Sequence, residues 1–298
     1  MNNPEIINKD YNKSFIFSKI LRKLPISSKV SRKYNEYRQF EISKKLYPIF
    51  QVAQQKINQE NEVKESNIIW VFWWQGKDKM TSLSRKCYKS ILNNKGNRKV
   101  ILITKNNIRQ YAILPEYIYT KIKNREISLT HLSDILRFNL LNNYGGLWMD
   151  ATLYVTDSLD KFSTEELFTC SGYEDKYLFN ISNGQWTGFF IGGPSHLSLF
   201  QFMDNFFQEY WKYNDELIDY FLIDYALNYA WNKDLSKFKA VSSKYNTINP
   251  RMFELQGILN NKFDIRIINK LTLHTVVFKL SNKKPINYNN KANFYNHL

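Results

Sequence analysis

The stretch LTHLSDILRFNLLNNYGGLWMDATLYV, residues 129–155, reads as a helix, a glycine break and a strand that ends on a carboxylate. Thr130 can cap a helix running through Asn143, and Gly145 suits a left-handed stop at its end. Asp134 and Arg137, three residues apart, project from one face of that helix, while Leu132, Ile135, Leu136 and Leu140 reach the core. Alone, such a pair is a surface ion pair worth roughly a few tenths of a kcal/mol. The strand changes the balance, because Trp148, Asp150 and Thr152 alternate with Met149, Ala151 and Leu153. A carboxylate among Trp, Met, Ala and Leu costs free energy unless it is paired, metal-bound or set at a strand end facing a cleft. A structural Asp bonded to amides of the next turn is the plainer alternative. In open α/β sheets ligands gather at the carboxyl ends of strands, where such a residue could do chemistry.

Working outward, IIWVFWWQG (68–76) is a continuous apolar run closed by Gln-Gly, the pattern of a strand buried on both faces. TSLSRKCYKSILNN (81–94) places Leu83, Cys87 and Ile91 at successive i+4 steps, a covering helix, and RKVILIT (98–104) is a second strand. Pro115 stands where a further helix can begin. Strands alternating with helices predict an α/β architecture with a mostly parallel central sheet flanked by helices. Downstream, WTGFFIGGP (186–194) reads as strand then turn, residues 195–211 as a helix, and ELIDYFLIDYALNYAW (216–231) as a strongly apolar helix. PRMFELQGILNN (250–261) predicts another helix, and LTLHTVVFKLSNKK (271–284) a terminal strand or loop. Residues 1–66 are basic and polar with apolar positions at helical spacing, a helical extension preceding one domain at 67–298. Within it, SFIFSKILRKLPISSKVSRK (14–33) fits either a helix lying on an anionic membrane or a helix packed on its own domain with a solvated basic face.

The chain has 298 residues, 43% hydrophobic and 16% aromatic, enough to bury a sizeable core. Its formal net charge of +15 points to an anionic partner: nucleic acid, an acidic membrane surface or a phosphorylated substrate. With only Cys87 and Cys170 there is no disulfide framework, which fits a reducing, cytoplasmic setting. No run spans a bilayer and the N-terminus lacks a signal-peptide pattern. Aromatics lie in core-like segments rather than among the basic clusters, so nucleic acid is not the expected partner. No P-loop, G-x-G-x-x-G or Ser-His-Asp pattern is apparent.

SLTHLSDILRFNLLNNYGGLWMDATLYVT (128–156), with IIWVFWWQG upstream and WTGFF and LIDYFLIDY downstream, resembles the bacterial capsular polysaccharide synthesis protein family. That family is in turn similar to DXD-type glycosyltransferases, including the catalytic domains of the large clostridial glucosylating toxins. The resemblance covers about residues 68–285. It implies a GT-A-like nucleotide-sugar-binding fold and a hexosyltransferase, retaining in stereochemistry. Its substrates would be a nucleotide sugar, UDP-linked, and a polysaccharide or lipid-linked oligosaccharide acceptor at the inner face of the cell membrane.

Carried over by motif, Asp134 and Arg137 would bind hydroxyls of the donor sugar, Trp148 would wall the donor pocket, and Asp150 would face the ribose and the metal-bound diphosphate. Trp74, beside Gln75, stands where an aromatic stacks on the donor base, a contact worth about 1–3 kcal/mol. The second Asp of DXD is Thr152 here, so a Mn²⁺ or Mg²⁺ held by Asp150 and Thr152 lacks one charged ligand. Thr152 can bond a metal-bound water, or Asp157 can reach in from the following turn. Alternatively, His274 with Lys279, Lys283 and Lys284 can neutralise the leaving diphosphate. Asp224 can line the acceptor pocket or act as a base, or it can simply bond a neighbouring Tyr. Trp186 and Thr187 can border the acceptor or form a strand edge. His131 is read as a first-turn residue fixing Asp134.

Overall fold

A computed structural model describes residues 10–24, 27–59, 61–246 and 248–298. Two helices lead, α1 (Asp10–Leu21) and α2 (Ser28–Gln55). There follow β1 (Ile68–Phe72), α3 (Ser82–Asn93), β2 (Lys99–Ile103), α4 (Ile108–Tyr111), α5 (Glu116–Lys123), α6 (Leu129–Tyr144) and β3 (Gly146–Met149). The second half contains β4 (Leu153–Val155), β5 (Phe168–Thr169), β6 (Phe190–Gly193), α7 (Ser198–Tyr213) and α8 (Leu222–Asn232). It ends with α9 (Phe238–Lys244), α10 (Leu255–Ile258), α11 (Ile265–Thr272) and β7 (Val277–Lys279).

The apolar run at 68–72 is the sheet's interior strand, as its lack of alternation requires, with Ile69, Trp70 and Val71 fully buried. Strand order is β2-β1-β3-β6-β5. The pairs β1–β2 and β1–β3 are parallel, joined through helices. The pairs β3–β6 and β5–β6 are antiparallel. The sheet is therefore mixed rather than mostly parallel. The physical reason lies in residues 150–189, which form no α-helix and so return the chain to the sheet without a helical crossover. A separate ribbon pairs β4 with β7 antiparallel, setting Leu153 opposite Lys279.

The helix–glycine–strand reading holds closely. The cap is Ser128, whose hydroxyl accepts the His131 N–H at 3.4 Å, two residues earlier than Thr130. Gly145 ends the helix at φ 65° and Gly146 follows at φ 100°. A Cβ on Gly146 would stand 2.4 Å from the Ile68 carbonyl oxygen, so only glycine lets β3 lie beside β1. The apolar stretch at 216–231 is helical only from Leu222, because the Asp219 side chain accepts the Phe221 N–H at 2.9 Å and holds a turn there. The helix expected at 250–261 shrinks to α10, and the expected terminal strand is β7, preceded by α11.

Helix α2 contributes Ile42, Leu46, Ile49, Phe50 and Ala53 to the main core. The Phe50 ring lies 5.3 Å from Phe206 and 4.8 Å from Tyr229. Arg38 forms a buried ion pair with Asp219, and Asn35 and Gln39 donate to the carbonyls of Tyr177 and Leu178 at 3.0 and 2.7 Å. Residues 1–9, 25 and 26 of the basic N-terminal segment lie outside the described residues. Among the described residues, no helix is long and apolar enough to cross a membrane. Cys87 and Cys170 are buried free thiols, and burial pushes that of Cys87 up to about 12.

The glycine requirement is testable: Gly146→Ala is expected to cost at least about 2 kcal/mol, from positive-φ strain plus the clash with Ile68. Urea denaturation reads it as a lowered midpoint, and an unchanged midpoint would contradict the close approach of β1 and β3.

Candidate functional site

The carboxyl ends of β1 and β3 open into a cavity of about 920 Å³. Residues 72–75 following β1 form one wall, with Trp74 half-buried and Gln75 exposed, and the Phe72 and Trp74 rings lie 6.4 Å apart. The inward face of α6 brings Ser133, Asp134 and Arg137, β3 brings Trp148, and the turn after it brings Asp150 and Thr152. The irregular segment 173–189 and the start of α8 close the far side with Trp186, Thr187 and Asp224. The donor- and acceptor-site residues predicted from sequence line this one cavity, as does Lys279, whereas His131, Asp157, His274, Lys283 and Lys284 do not.

At its centre Asp150 is held by three donors. Its Oδ1 accepts from Trp148 Nε1 at 3.0 Å and Arg137 Nη2 at 3.3 Å. Its Oδ2 accepts from Lys279 Nζ at 2.7 Å, which also donates to Thr152 Oγ1 at 3.0 Å. Burial would raise the Asp150 carboxyl, but Lys279 and Arg137 outweigh it and hold it below the usual carboxylate range. Arg137 also donates to Asp134 Oδ1 at 2.9 Å and lies 5.1 Å from the Trp148 ring centre. The reading of the Asp134–Arg137 pair as a solvated surface contact fails, because both side chains are buried. His131 Nδ1 is 3.6 Å from Asp134 Oδ2, beyond hydrogen-bonding distance.

The donor set around Asp150 does not fit Mn²⁺ or Mg²⁺. An ion shared by Asp150 and Thr152 would compete for the oxygens that the Lys279 ammonium already bridges, beside a second cation, Arg137. Among the described residues, no group of three or more His, Cys, Asp or Glu is placed to share a metal. Asp157 is exposed and pairs with Lys161, and it does not line the cavity. His274 is an exposed residue at φ 62° in the turn between α11 and β7, where chain reversal explains it and it faces no part of the cavity. Of its lysine companions, Lys279 lines the site and Lys283 lies 5.8 Å from the ring centre of Tyr220 at the cavity wall.

Lys279 is the residue whose partnership with Asp150 was missed, although the signal was present. VVFKL is an apolar run with one embedded charge, the same anomaly that singled out Asp150. The β4–β7 ladder delivers it, with the Leu280 N–H donating to the Thr152 carbonyl at 2.9 Å and aligning the two segments. Thr187 does double duty: it lines the cavity, yet its hydroxyl donates to the Phe190 carbonyl at 3.0 Å and accepts the Cys170 N–H at 3.3 Å.

Asp224 accepts from Trp186 Nε1 at 2.9 Å, so its expected partner is a Trp rather than a Tyr. Burial, reinforced by the Asp134 carboxylate, pushes its pKa up to about 6. An acid whose folded pKa exceeds its ordinary 3.8 keeps its proton in the folded chain after the unfolded chain has lost it. The wild type should therefore lose stability relative to Asp224→Asn as pH rises from about 4 to about 6, with no further divergence above that. Urea midpoints of both proteins across this range check it, and parallel curves would contradict the perturbed carboxyl.

None of the curated proteins matches the chain. The family described as "Capsular polysaccharide synthesis protein" matches residues 19–298, from the last turn of α1 to the last residue of the sequence. That match takes in all of α2, Asp150 and Lys279, and the protein belongs to the capsular polysaccharide synthesis family.

Proposed function

We propose that the chain is a glycosyltransferase of capsule biosynthesis, moving a hexosyl unit from a nucleotide sugar, UDP-linked, to a hydroxyl of a surface-polysaccharide repeat unit. The observation that carries this reading is the convergence of Trp74, Asp134, Arg137, Trp148 and Asp150 on one cavity at the carboxyl ends of β1 and β3. Its volume of about 920 Å³ suits a ligand of nucleotide-sugar size with room for part of an acceptor. The GT-A-like fold and the kinship with toxin glucosyltransferases belong to the same proposal.

In this reading Trp74 stacks on the base and Gln75 meets its edge, while Asp134 and Arg137 present fixed acceptors and donors to the sugar hydroxyls. The bond between the anomeric carbon and the diphosphate oxygen breaks as the acceptor oxygen bonds to that carbon. Negative charge grows on the departing diphosphate, where the protein needs a cation already in place. Lys279 supplies it: two of its three N–H donors go to Asp150 and Thr152, leaving one for a phosphate oxygen. Asp224, ionised above its pKa of about 6, takes the proton of the acceptor hydroxyl, with Trp186 aligning it. Retention of anomeric configuration is carried from the family resemblance. The acceptor in this reading is a polysaccharide or a lipid-linked oligosaccharide at the inner face of the cell membrane.

Purified protein incubated with a panel of nucleotide sugars should bind and turn over at least one of them. Absence of both binding and hydrolysis across the panel would sink the proposal. On the productive donor, Lys279→Ala is expected to lower kcat about 10²-fold or more, the scale of one lost charge-stabilising donor. Turnover should survive EDTA, and activity abolished by the chelator and restored by Mn²⁺ would assign the diphosphate to a metal instead.

A further inference from the structure

Outside the cavity, the most unusual surface is the solvent face of α2. Lys33, Tyr37, Phe40, Lys44 and Tyr47 follow one another at steps of four, three, four and three residues, so they form one stripe along the helix. The three aromatics are 66%, 64% and 46% exposed, on the side opposite the buried Ile42, Leu46 and Ile49. A helix that only packs on its own domain has no use for a row of exposed rings on its outer side. The aromatic surface continues onto α1, where the exposed Phe17 meets Tyr34 edge-on at 5.1 Å.

Charge on this face is predominantly basic, with Glu36 and Glu41 the two carboxylates of α2. Among the described residues, Lys29, Lys33, Lys44 and Lys45 have no carboxylate partner, while the exposed Glu36 is neutralised by Arg32 at 3.1 Å. Between α2 and α8 the stripe borders a groove of about 340 Å³, lined by Phe40, Lys44, Tyr47, Phe50, Tyr225 and Tyr229. Its walls are mostly hydrocarbon and ring, with Ser43, Asn228 and Asn232 among them and the Lys44 ammonium at the edge.

We infer that the α2 face, with its groove, docks the protein on an anionic phospholipid surface. Aromatic rings flanked by lysines are the composition that lies in the boundary between headgroups and acyl chains, with the rings in the apolar part and the ammonium groups on phosphates. The groove takes an acyl segment and Lys44 its headgroup phosphate. Nucleic acid would also meet the charge, but it offers nothing to fill an apolar groove. The surface is separate from the sugar site, although the two share α8: Asp224 faces the cavity and the next residue, Tyr225, faces the groove.

The test is flotation of the full chain with vesicles of phosphatidylcholine alone and of equal parts phosphatidylcholine and phosphatidylglycerol. Expected is binding to the mixed vesicles, weak binding to the neutral ones, and loss with salt. Each of Lys33→Gln and Lys44→Gln should lower partitioning about fivefold, the equivalent of about 1 kcal/mol per lysine. The triple variant Tyr37→Ser, Phe40→Ser, Tyr47→Ser should abolish flotation while keeping wild-type circular dichroism. UDP binding, measured on the same preparations, should be unchanged, so a failure of the donor reading and a failure of docking show separately. Flotation that persists in the triple variant, equal binding to neutral vesicles, or capture by short duplex RNA in preference to mixed vesicles would each overturn the inference.

Discussion

The site depends on how one carboxylate is kept ionised inside an apolar strand end. Asp150 sits where desolvation alone would raise its pKa, yet an ammonium, a guanidinium and an indole N–H together hold it below the usual carboxylate range. The three donors come from different parts of the chain. Arg137 is fixed by α6, Trp148 by β3, and Lys279 by a ribbon that closes only when β7 reaches β4. Asp150 thus joins these elements, and removing any single donor would leave a buried charge undercompensated. The same arrangement pre-forms the charge pattern that a diphosphate would meet.

Around that centre the cavity separates into regions with different chemistry. The segment after β1 is aromatic, suited to a flat ring system, whereas α6 offers a carboxylate and a guanidinium locked to each other, suited to hydroxyls. Asp224 lies farther along, with a carboxyl that changes charge near pH 6 because burial and Asp134 both oppose its ionisation. The irregular 173–189 segment completes the enclosure, and it is braced from outside. Asn35 and Gln39 on α2 hold the carbonyls of Tyr177 and Leu178, and the Arg38–Asp219 pair anchors that helix. The N-terminal helices therefore bear on the site without lining it.

How much of this was legible in sequence follows from the range of the forces involved. Local signals carried far: the apolar run of β1, the periodicity of α6, the Gly145-Gly146 break and the misplaced Asp150 all rest on neighbours a few residues apart, and each located its feature. Sheet direction was less legible, because the antiparallel return to β6 depends on what residues 150–189 fail to form. Lys279 is 129 residues from Asp150, and no local pattern links them. Only the energetic oddity of a lone charge in VVFKL marks it. His274 shows the opposite error, a chemically attractive residue whose position a turn explains. Helix formation by α2 was readable from periodicity, whereas its fit against α7 and α8 rests on shape complementarity that periodicity does not encode.

In the proposed reaction a lysine, not a divalent ion, answers Asp150 and meets the diphosphate. A crystal structure of the protein with UDP and Mn²⁺, with anomalous scattering recorded at the manganese edge, tests it most directly. The account predicts a phosphate oxygen within hydrogen-bonding distance of Lys279 Nζ, the Lys279–Asp150 contact retained, and no anomalous peak between Asp150 and Thr152. A manganese peak bridging those two residues, with Lys279 displaced from both, would contradict it.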